Sequence, residues 1–195
     1  MCARYYLDRE LYDEIEPIIG KTADSDRHVG DVCPSERPLV ILASEKPVAV
    51  HDIAWGYPTK DKQGLLINAR AETITEKPTF RNGIFKHRCV MPARGFYEWD
   101  RDKTKVTFFM DDRRPLFLAG CFDEFHGERR FTIITTEAND SMVKVHDRMP
   151  LMIEPGAVEA WLLTDRFKDM LRMPMPELNS HREYEQMTLD AFFAR

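Results

Sequence analysis

The residue with the most distinctive chemistry is Cys2. Removal of Met1 would make Cys2 the N-terminus and leave a free amine and a thiol on adjacent carbons. An α-amine titrates at about 8 and a thiol at about 8.5, so both are partly nucleophilic near neutral pH. Such an aminothiol captures an aldehyde as a Schiff base and then closes to a five-membered thiazolidine. The position alone fits equally a residue without a role at a frayed terminus.

Two further residues have side chains suited to moving protons. His146 lies in the segment HDRMP, just beyond a predicted helix end, where it fits either proton transfer or a structural role. Glu98 lies in GFYEW on a predicted strand, and strand alternation puts it on the face opposite Tyr97 and Trp99. A carboxylate in an apolar strand either pairs with a cation such as Arg94 or acts as a general acid or base with a raised pKa.

Two other segments carry groups that suit a nucleotide. Asn68 and Arg70 share one face of an extended segment, where an amide and a guanidinium could hold a sugar and a phosphate. The alternative for this segment is to cap a helix after Glu72. Trp55 lies in the aromatic turn WGY and suits either stacking on a base or packing in the core.

Composition sets limits on the class of protein. The chain has 195 residues, of which 43% are hydrophobic and 31% charged, as in an ordinary globular domain. Its net charge of -5 argues against a general nucleic-acid binder, yet every charged residue from Lys77 to Tyr97 is basic. The four cysteines are scattered without a C-x-x-C pair. We therefore expect neither a metal site nor a disulfide framework.

The sequence also predicts a location in the cytoplasm. No apolar run approaches the roughly 18 residues that span a bilayer, which argues against a membrane protein. Asp8 and Glu10 precede any apolar stretch of the kind found in a signal peptide.

The pattern of elements predicts an α+β fold with a mainly antiparallel sheet, in a single domain over 1–195. Helical spacing is found over Asp8–Ile19, Thr73–Lys86, Asn139–Val145 and Pro155–Leu163. Runs typical of strands are found at Leu39–Leu42, Val48–Trp55, Leu65–Ile67, Arg88–Trp99, Val106–Met110, Leu116–Phe122 and Phe131–Thr135. A long loop is expected over Lys21–Pro38, and a weakly amphipathic segment over Leu189–Phe193.

Six segments in this order and spacing resemble one known family. They are Cys2 with Arg4, WGY from Trp55, NARAET from Asn68, the pair Phe80-Arg81, GFYEW from Gly95 and HDRMP from His146. Together they resemble the SRAP family, the SOS-response-associated peptidase domain proteins that are also called abasic site processing proteins. The resemblance covers roughly 1–163 and leaves 173–195 as a divergent tail.

The resemblance implies a barrel-like fold with a basic groove for single-stranded DNA. Such proteins capture the aldehyde of an abasic deoxyribose as a thiazolidine crosslink in the DNA damage response, and some lyase activity is expected. We also predict no cofactor, no metal and no obligate protein partner, and we expect association with the nucleoid when the protein is bound to DNA.

The resemblance also implies a role for each matching residue. Cys2 is the nucleophile, Asn68 orients the terminal residue and the sugar, Glu98 manages protons at the amine, and His146 assists opening of the deoxyribose. The predicted DNA-binding residues are Arg4, Arg70, Arg81 and Trp55.

Several positions depart from the family pattern. Ala3 replaces a usual glycine, Val32-Cys33-Pro34 only loosely matches N-x-A-P, and the loop 58–64 has no aromatic residue. Two other functions therefore stay open. One is a cysteine peptidase or self-processing hydrolase that uses Cys2, and the other is a non-catalytic module that binds single-stranded DNA.

Overall fold

Two β-sheets, a small hairpin and a few short helices position these residues. We analysed a computed structural model that describes residues 2–20, 28–43, 47–61 and 63–183. The strands are β1 (Tyr5–Leu7), β2 (Gly30–Val32), β3 (Val40–Leu42), β4 (Val48–Val50), β5 (Ala54–Trp55), β6 (Tyr57–Pro58), β7 (Leu65–Leu66), β8 (Asn68–Arg70), β9 (Arg88–Ala93), β10 (Gly95–Trp99), β11 (Lys105–Phe109), β12 (Leu116–Phe125), β13 (Glu128–Glu137), β14 (Arg148–Pro150) and β15 (Asn179–Arg182). The helices are α1 (Arg9–Ile19), α2 (Pro78–Lys86), α3 (Val158–Leu163) and α4 (Phe167–Met170).

The strands form two open sheets. The first has the order β15-β11-β10-β1-β2 and is antiparallel throughout. The second contains β14, β13, β12, β9, β3 and β4 in that order, and β5 and β8 run parallel to β13. The predicted α+β class with mainly antiparallel strands is confirmed. The barrel expectation needs correction, because the described sheets do not close into a barrel.

Helix α1 shows how local signals set an element. The Asp8 carboxylate accepts the N–H of Leu11 at 2.9 Å and caps the first turn. The apolar face buries Leu11, Tyr12 and Ile15. Gly20 ends the helix with φ 77°, a conformation that favours glycine. The prediction over Asp8–Ile19 is confirmed.

The predicted strand over Arg88–Trp99 is two strands that belong to different sheets. β9 pairs with β12 and β3, whereas β10 pairs with β1 and β11. The chain changes sheet at Arg94 and Gly95. A Cβ at Gly95 would lie 2.5 Å from the Phe108 carbonyl oxygen, so only glycine fits this close crossing. Sequence periodicity could not show this break, because both halves are apolar.

Other predicted boundaries also shift. Strand β2 lies within the predicted loop 21–38, of which 21–27 fall outside the described residues. The predicted strand over Val48–Trp55 is divided into β4 and β5. The segment 139–145 forms hydrogen-bonded turns rather than a helix, and α2 is shorter than predicted because 71–76 are also turns. The predicted amphipathic segment 189–193 lies outside the described residues.

No helix in the described part of the chain is long and apolar enough to cross a membrane.

Candidate active site

The N-terminal segment enters the first sheet beside β10. Cys2 is only 1% exposed, and its thiol donates to the carbonyl oxygen of Arg4 at 3.8 Å. Burial raises the pKa of the Cys2 thiol well above its ordinary value, and the negative charge of Glu98 raises it further. The thiol is therefore held in its protonated form near neutral pH.

Strand β10 holds Glu98 beside this thiol. Tyr5 of β1 lies opposite Phe96 in the register of the two strands, so the chain before Tyr5 runs along Glu98. Glu98 is 4% exposed and shares the buried face with Phe96, whereas Trp99 is on the outer face. The alternation predicted for this strand is confirmed.

Arg94, the cation considered as a partner for Glu98, binds two other carboxylates. Its guanidinium donates to Asp8 at 2.8 and 3.1 Å and to Glu14 at 2.7 and 3.3 Å. It also donates to the carbonyl of Arg113. Arg94 thus links α1 to the start of β10. Because Arg94 binds Asp8 and Glu14, the charge of Glu98 acts on Cys2.

Asn68 reaches the site from the second sheet. Strand β8 pairs in parallel with β13, with Asn68 opposite Ile133. The amide nitrogen of Asn68 donates to the carbonyl oxygen of Cys2 at 3.0 Å. Its Oδ1 is buried and has no hydrogen-bond partner within the described ranges, so it is free to accept one further donor. Asn68 and Glu98 therefore bring both sheets to Cys2.

His146 is positioned by the turns that precede β14. Its Nδ1 accepts the backbone N–H of Arg148 at 2.9 Å, and Asp147 Oδ1 lies 3.0 Å from the same nitrogen. One nitrogen cannot accept from one group and donate to the other at once. The carboxylate of Asp147 is 83% exposed and screened by water, so the backbone hydrogen bond is the stronger contact. It requires Nδ1 to accept, as in the tautomer that carries its proton on Nε2.

The three predicted arginines lie on exposed or half-exposed positions. Arg4 Nη1 lies 3.4 Å from Asp31 Oδ2, and its guanidinium lies 5.6 Å from the centre of the Trp99 ring. Arg70 is exposed at the end of β8, two residues after Asn68. Arg81 is exposed on α2, where its described contact is with the Phe85 ring at 5.7 Å.

Trp55 is placed in the core and not on a DNA-binding surface. It is fully buried, with its ring 5.5 Å from Tyr5 and 6.0 Å from Phe131. Its indole N–H donates to the carbonyl of Ile67 at 3.0 Å. The core alternative therefore replaces the stacking role, because the side chain has no exposed surface on which a base could stack. Trp55 supports the start of β8, and hence Asn68, from below.

Sequence reasoning missed an ion pair between a buried arginine and a half-exposed glutamate. Arg148 binds the carboxylate of Glu72 and thereby joins the segments NARAET and HDRMP. The two residues are 76 positions apart, so no local pattern could have paired them. The only signal in the sequence is that each of the two motifs contains one acidic residue and one arginine.

Cys2, the Asn68 amide and the Glu98 carboxylate lie together where the two sheets meet, which is the arrangement that the SRAP resemblance implies. The family model described as SOS response associated peptidase (SRAP) matches residues 1–189, so the chain belongs to this family, as the motifs predicted. The match extends beyond Leu163 into the segment that follows Met173.

Two curated relatives come from Bacillus subtilis (strain 168). The chain is 36% identical over 146 residues to "Abasic site processing protein YoaM". The aligned segment covers 68% of this chain and 64% of the relative. It is 35% identical over 179 residues to "Abasic site processing protein YoqW", which covers 83% of this chain and 80% of the relative.

A solved structure of a Bordetella bronchiseptica protein has the same fold. The two structures superpose with a TM-score of 0.78 at 23% sequence identity, covering 94% of this chain and all of the other. This likeness concerns the fold alone.

Proposed function

We propose that this chain binds single-stranded DNA in the cytoplasm and captures the aldehyde of an abasic site on Cys2 as a thiazolidine crosslink. The observation that carries the proposal is the hydrogen bond from Asn68 to the Cys2 carbonyl, with Glu98 buried beside the same residue. The names of the curated relatives, which are abasic site processing proteins, support the substrate.

The amine of Cys2 is the first nucleophile in this proposal. Removal of Met1 releases it, and it adds to the aldehyde carbon to form a carbinolamine. Loss of one water then gives the Schiff base. The raised pKa of the thiol supports this order, because a thiol that stays protonated is a poor first nucleophile.

Ring closure follows once the imine carbon is next to the thiol. The sulfur forms a bond to that carbon, the thiol proton leaves, and the imine nitrogen takes up a proton. In this proposal Glu98 accepts the thiol proton and returns it to nitrogen, which the effect of its charge on the thiol supports. The complete reaction loses one water.

The remaining side chains would bind the substrate. His146, with its proton on Nε2, has a donor for the deoxyribose oxygen during ring opening. The free Oδ1 of Asn68 suits a sugar hydroxyl or the Cys2 amine. Arg4 and Arg70, which follow Cys2 and Asn68 by two residues each, suit the flanking phosphates.

The raised pKa of Cys2 also weighs against the peptidase alternative. A cysteine peptidase attacks an amide with a thiolate, which a neighbouring imidazolium or a helix N-terminus stabilises. Burial and Glu98 both act in the opposite direction here.

The test mixes the protein with single-stranded DNA that carries one abasic site, followed by a denaturing gel and intact mass. We expect an adduct whose mass equals the two components less one water. Cys2→Ala keeps the amine but lacks the thiol. It should therefore give a Schiff base that survives the gel only after borohydride reduction. Stable adduct from Cys2→Ala without borohydride would rule out the thiazolidine.

The matched DNA control is an oligonucleotide in which the abasic site is reduced to the alcohol. Because it has no aldehyde, it should bind and give no adduct. Salt-sensitive binding with no adduct on either DNA, from protein shown to begin at Cys2, would favour the non-catalytic binding module.

A further inference from the structure

An ion pair between the buried Arg148 and the half-exposed Glu72 joins the two motifs that carry Asn68 and His146. Arg148 is 7% exposed, and its two terminal nitrogens donate to the two carboxylate oxygens of Glu72 at 2.9 and 2.8 Å. A two-point pair of this kind fixes orientation as well as distance. Partial burial raises the pKa of Glu72, but the Arg148 hydrogen bonds outweigh it and leave that pKa below its usual range.

Thr135 on β13 contacts both the segment of Glu72 and Arg148. Its carbonyl oxygen accepts the N–H of Ala71 at 2.8 Å and a terminal nitrogen of Arg148 at 2.6 Å. Strands β8 and β14 also both pair with β13 at this residue, through Arg70 and Pro150 respectively. The ends of the two functional segments therefore meet at one point of the central strand.

The same arginine orients the ring of His146. Its backbone N–H donates to Nδ1, and a ring that accepts there carries its proton on Nε2. Any displacement of the first residue of β14 would move this donor away from Nδ1. The tautomer of His146 thus reports whether Arg148 is in place.

We propose that Glu72 is a positioning residue, which acts through Arg148 to hold His146 in one tautomer and in register with Asn68. Its effect on the rate of crosslinking rests on the proposed function. Its effect on the His146 tautomer does not.

Loss of the carboxylate charge would leave Arg148 buried without compensation. A buried charge that loses its partner is costly, because that charge still lacks its hydration, and here the buried partner is Arg148. The simplest relief is movement of the guanidinium towards water, which would carry the first residue of β14 with it. Glu72→Gln tests this with little change in size, since it removes the charge and one of the two acceptors.

The first measurement is ¹⁵N NMR of the histidine side chains, with Glu76→Gln as the matched control. Glu76 is an exposed carboxylate four residues further along the same segment. Wild type and Glu76→Gln should show His146 with its proton on Nε2, and Glu72→Gln should show both tautomers. The rate of adduct formation by Glu72→Gln should fall about tenfold, with affinity for intact single-stranded DNA within about twofold of wild type.

Arg148→Lys gives a second arm if Glu72→Gln does not fold. Lysine keeps the charge and the backbone N–H but cannot bind both oxygens of the carboxylate. We expect a partial loss of the single tautomer and a smaller fall in rate. A lower melting temperature in either variant, with the tautomer and the rate both unchanged, would overturn the proposal and leave a purely structural ion pair. If wild type forms no adduct, the proposed function fails and the tautomer alone decides the role of Glu72.

Discussion

Two buried charged residues lie four positions apart at β10, and their surroundings differ. Arg94, at 2% exposure, has its charge matched by the carboxylates of Asp8 and Glu14. Glu98, at 4% exposure, lies beside the thiol of Cys2 and raises its pKa. The first arrangement stabilises the fold, because opposite charges compensate each other. The second arrangement makes ionisation of the Cys2 thiol harder. Shifted pKa values of this kind are typical of sites where protons are transferred.

The largest effect is expected from Glu98→Gln. An amide cannot accept the thiol proton, so the rate of adduct formation should fall about a thousandfold. The same change removes a negative charge beside Cys2, so the pKa of the thiol should decrease and its alkylation by iodoacetamide should become faster. Denaturing gels and mass spectrometry of the alkylated protein measure both effects.

Opposite directions for these two rates are the diagnostic result. Glu159→Gln, an exposed carboxylate on α3, is the control and should change neither rate. Normal crosslinking by Glu98→Gln would remove Glu98 from the mechanism.

Arg94→Met should affect stability and leave the chemistry intact. It leaves Asp8 and Glu14 without their shared cation. The free energy of unfolding should fall by about 3 kcal/mol, the lower end of the usual range, because both carboxylates are partly exposed. Urea unfolding measures this loss. Loss of adduct from Arg94→Met that is still folded would contradict the structural role.

The acid side of the stability curve separates the two regions further. Partial burial raises the pKa of Asp8, but hydrogen bonds from Arg94 and from the Leu11 N–H lower it more, so the folded-state pKa lies below the usual 3.8. This contribution to stability is complete above the unfolded-state pKa and is lost as the pH falls through the folded-state value. Asp8→Asn should therefore lower the free energy of unfolding by about 1 kcal/mol near neutral pH. It should also make the loss of stability below about pH 4 less steep. An unchanged acid limb in thermal melts would contradict this assignment.

The smallest effect concerns Arg4, which is paired with Asp31 at 3.4 Å. Both side chains are 39% exposed, so the pair is weak. Asp31→Asn should free Arg4 for phosphate and raise the affinity for single-stranded DNA about twofold at low salt. Fluorescence anisotropy at two salt concentrations tests this, with Asp112→Asn as the control. Equal affinities for wild type and Asp31→Asn would exclude competition between Asp31 and DNA for Arg4.

Features that depend on near neighbours in the chain were predictable from the sequence. The helix over Asp8–Ile19 and the placement of Glu98 opposite Tyr97 and Trp99 follow from helical and strand periodicity. The possibility of aminothiol chemistry at Cys2 follows from its position alone. These signals need no knowledge of how distant segments pack.

Features that depend on distant pairing were not predictable. The change of sheet at Arg94 is set by the partners of β9 and β10, and the two halves look alike in sequence. The indole of Trp55 suits a base or a core equally, and only the neighbours Tyr5 and Phe131 decide between them. The pair of Glu72 and Arg148 exists because β8 and β14 meet on β13.

In the proposed mechanism, both the amine and the thiol of Cys2 react with the aldehyde. The most direct test compares two preparations on the same abasic single-stranded DNA, one that begins at Cys2 and one that retains Met1, each verified by intact mass. We predict a stable adduct, lighter by one water than its components, only from the protein that begins at Cys2. An equal yield from the protein that retains Met1 would contradict the account, because its Cys2 nitrogen is an amide and cannot form a thiazolidine.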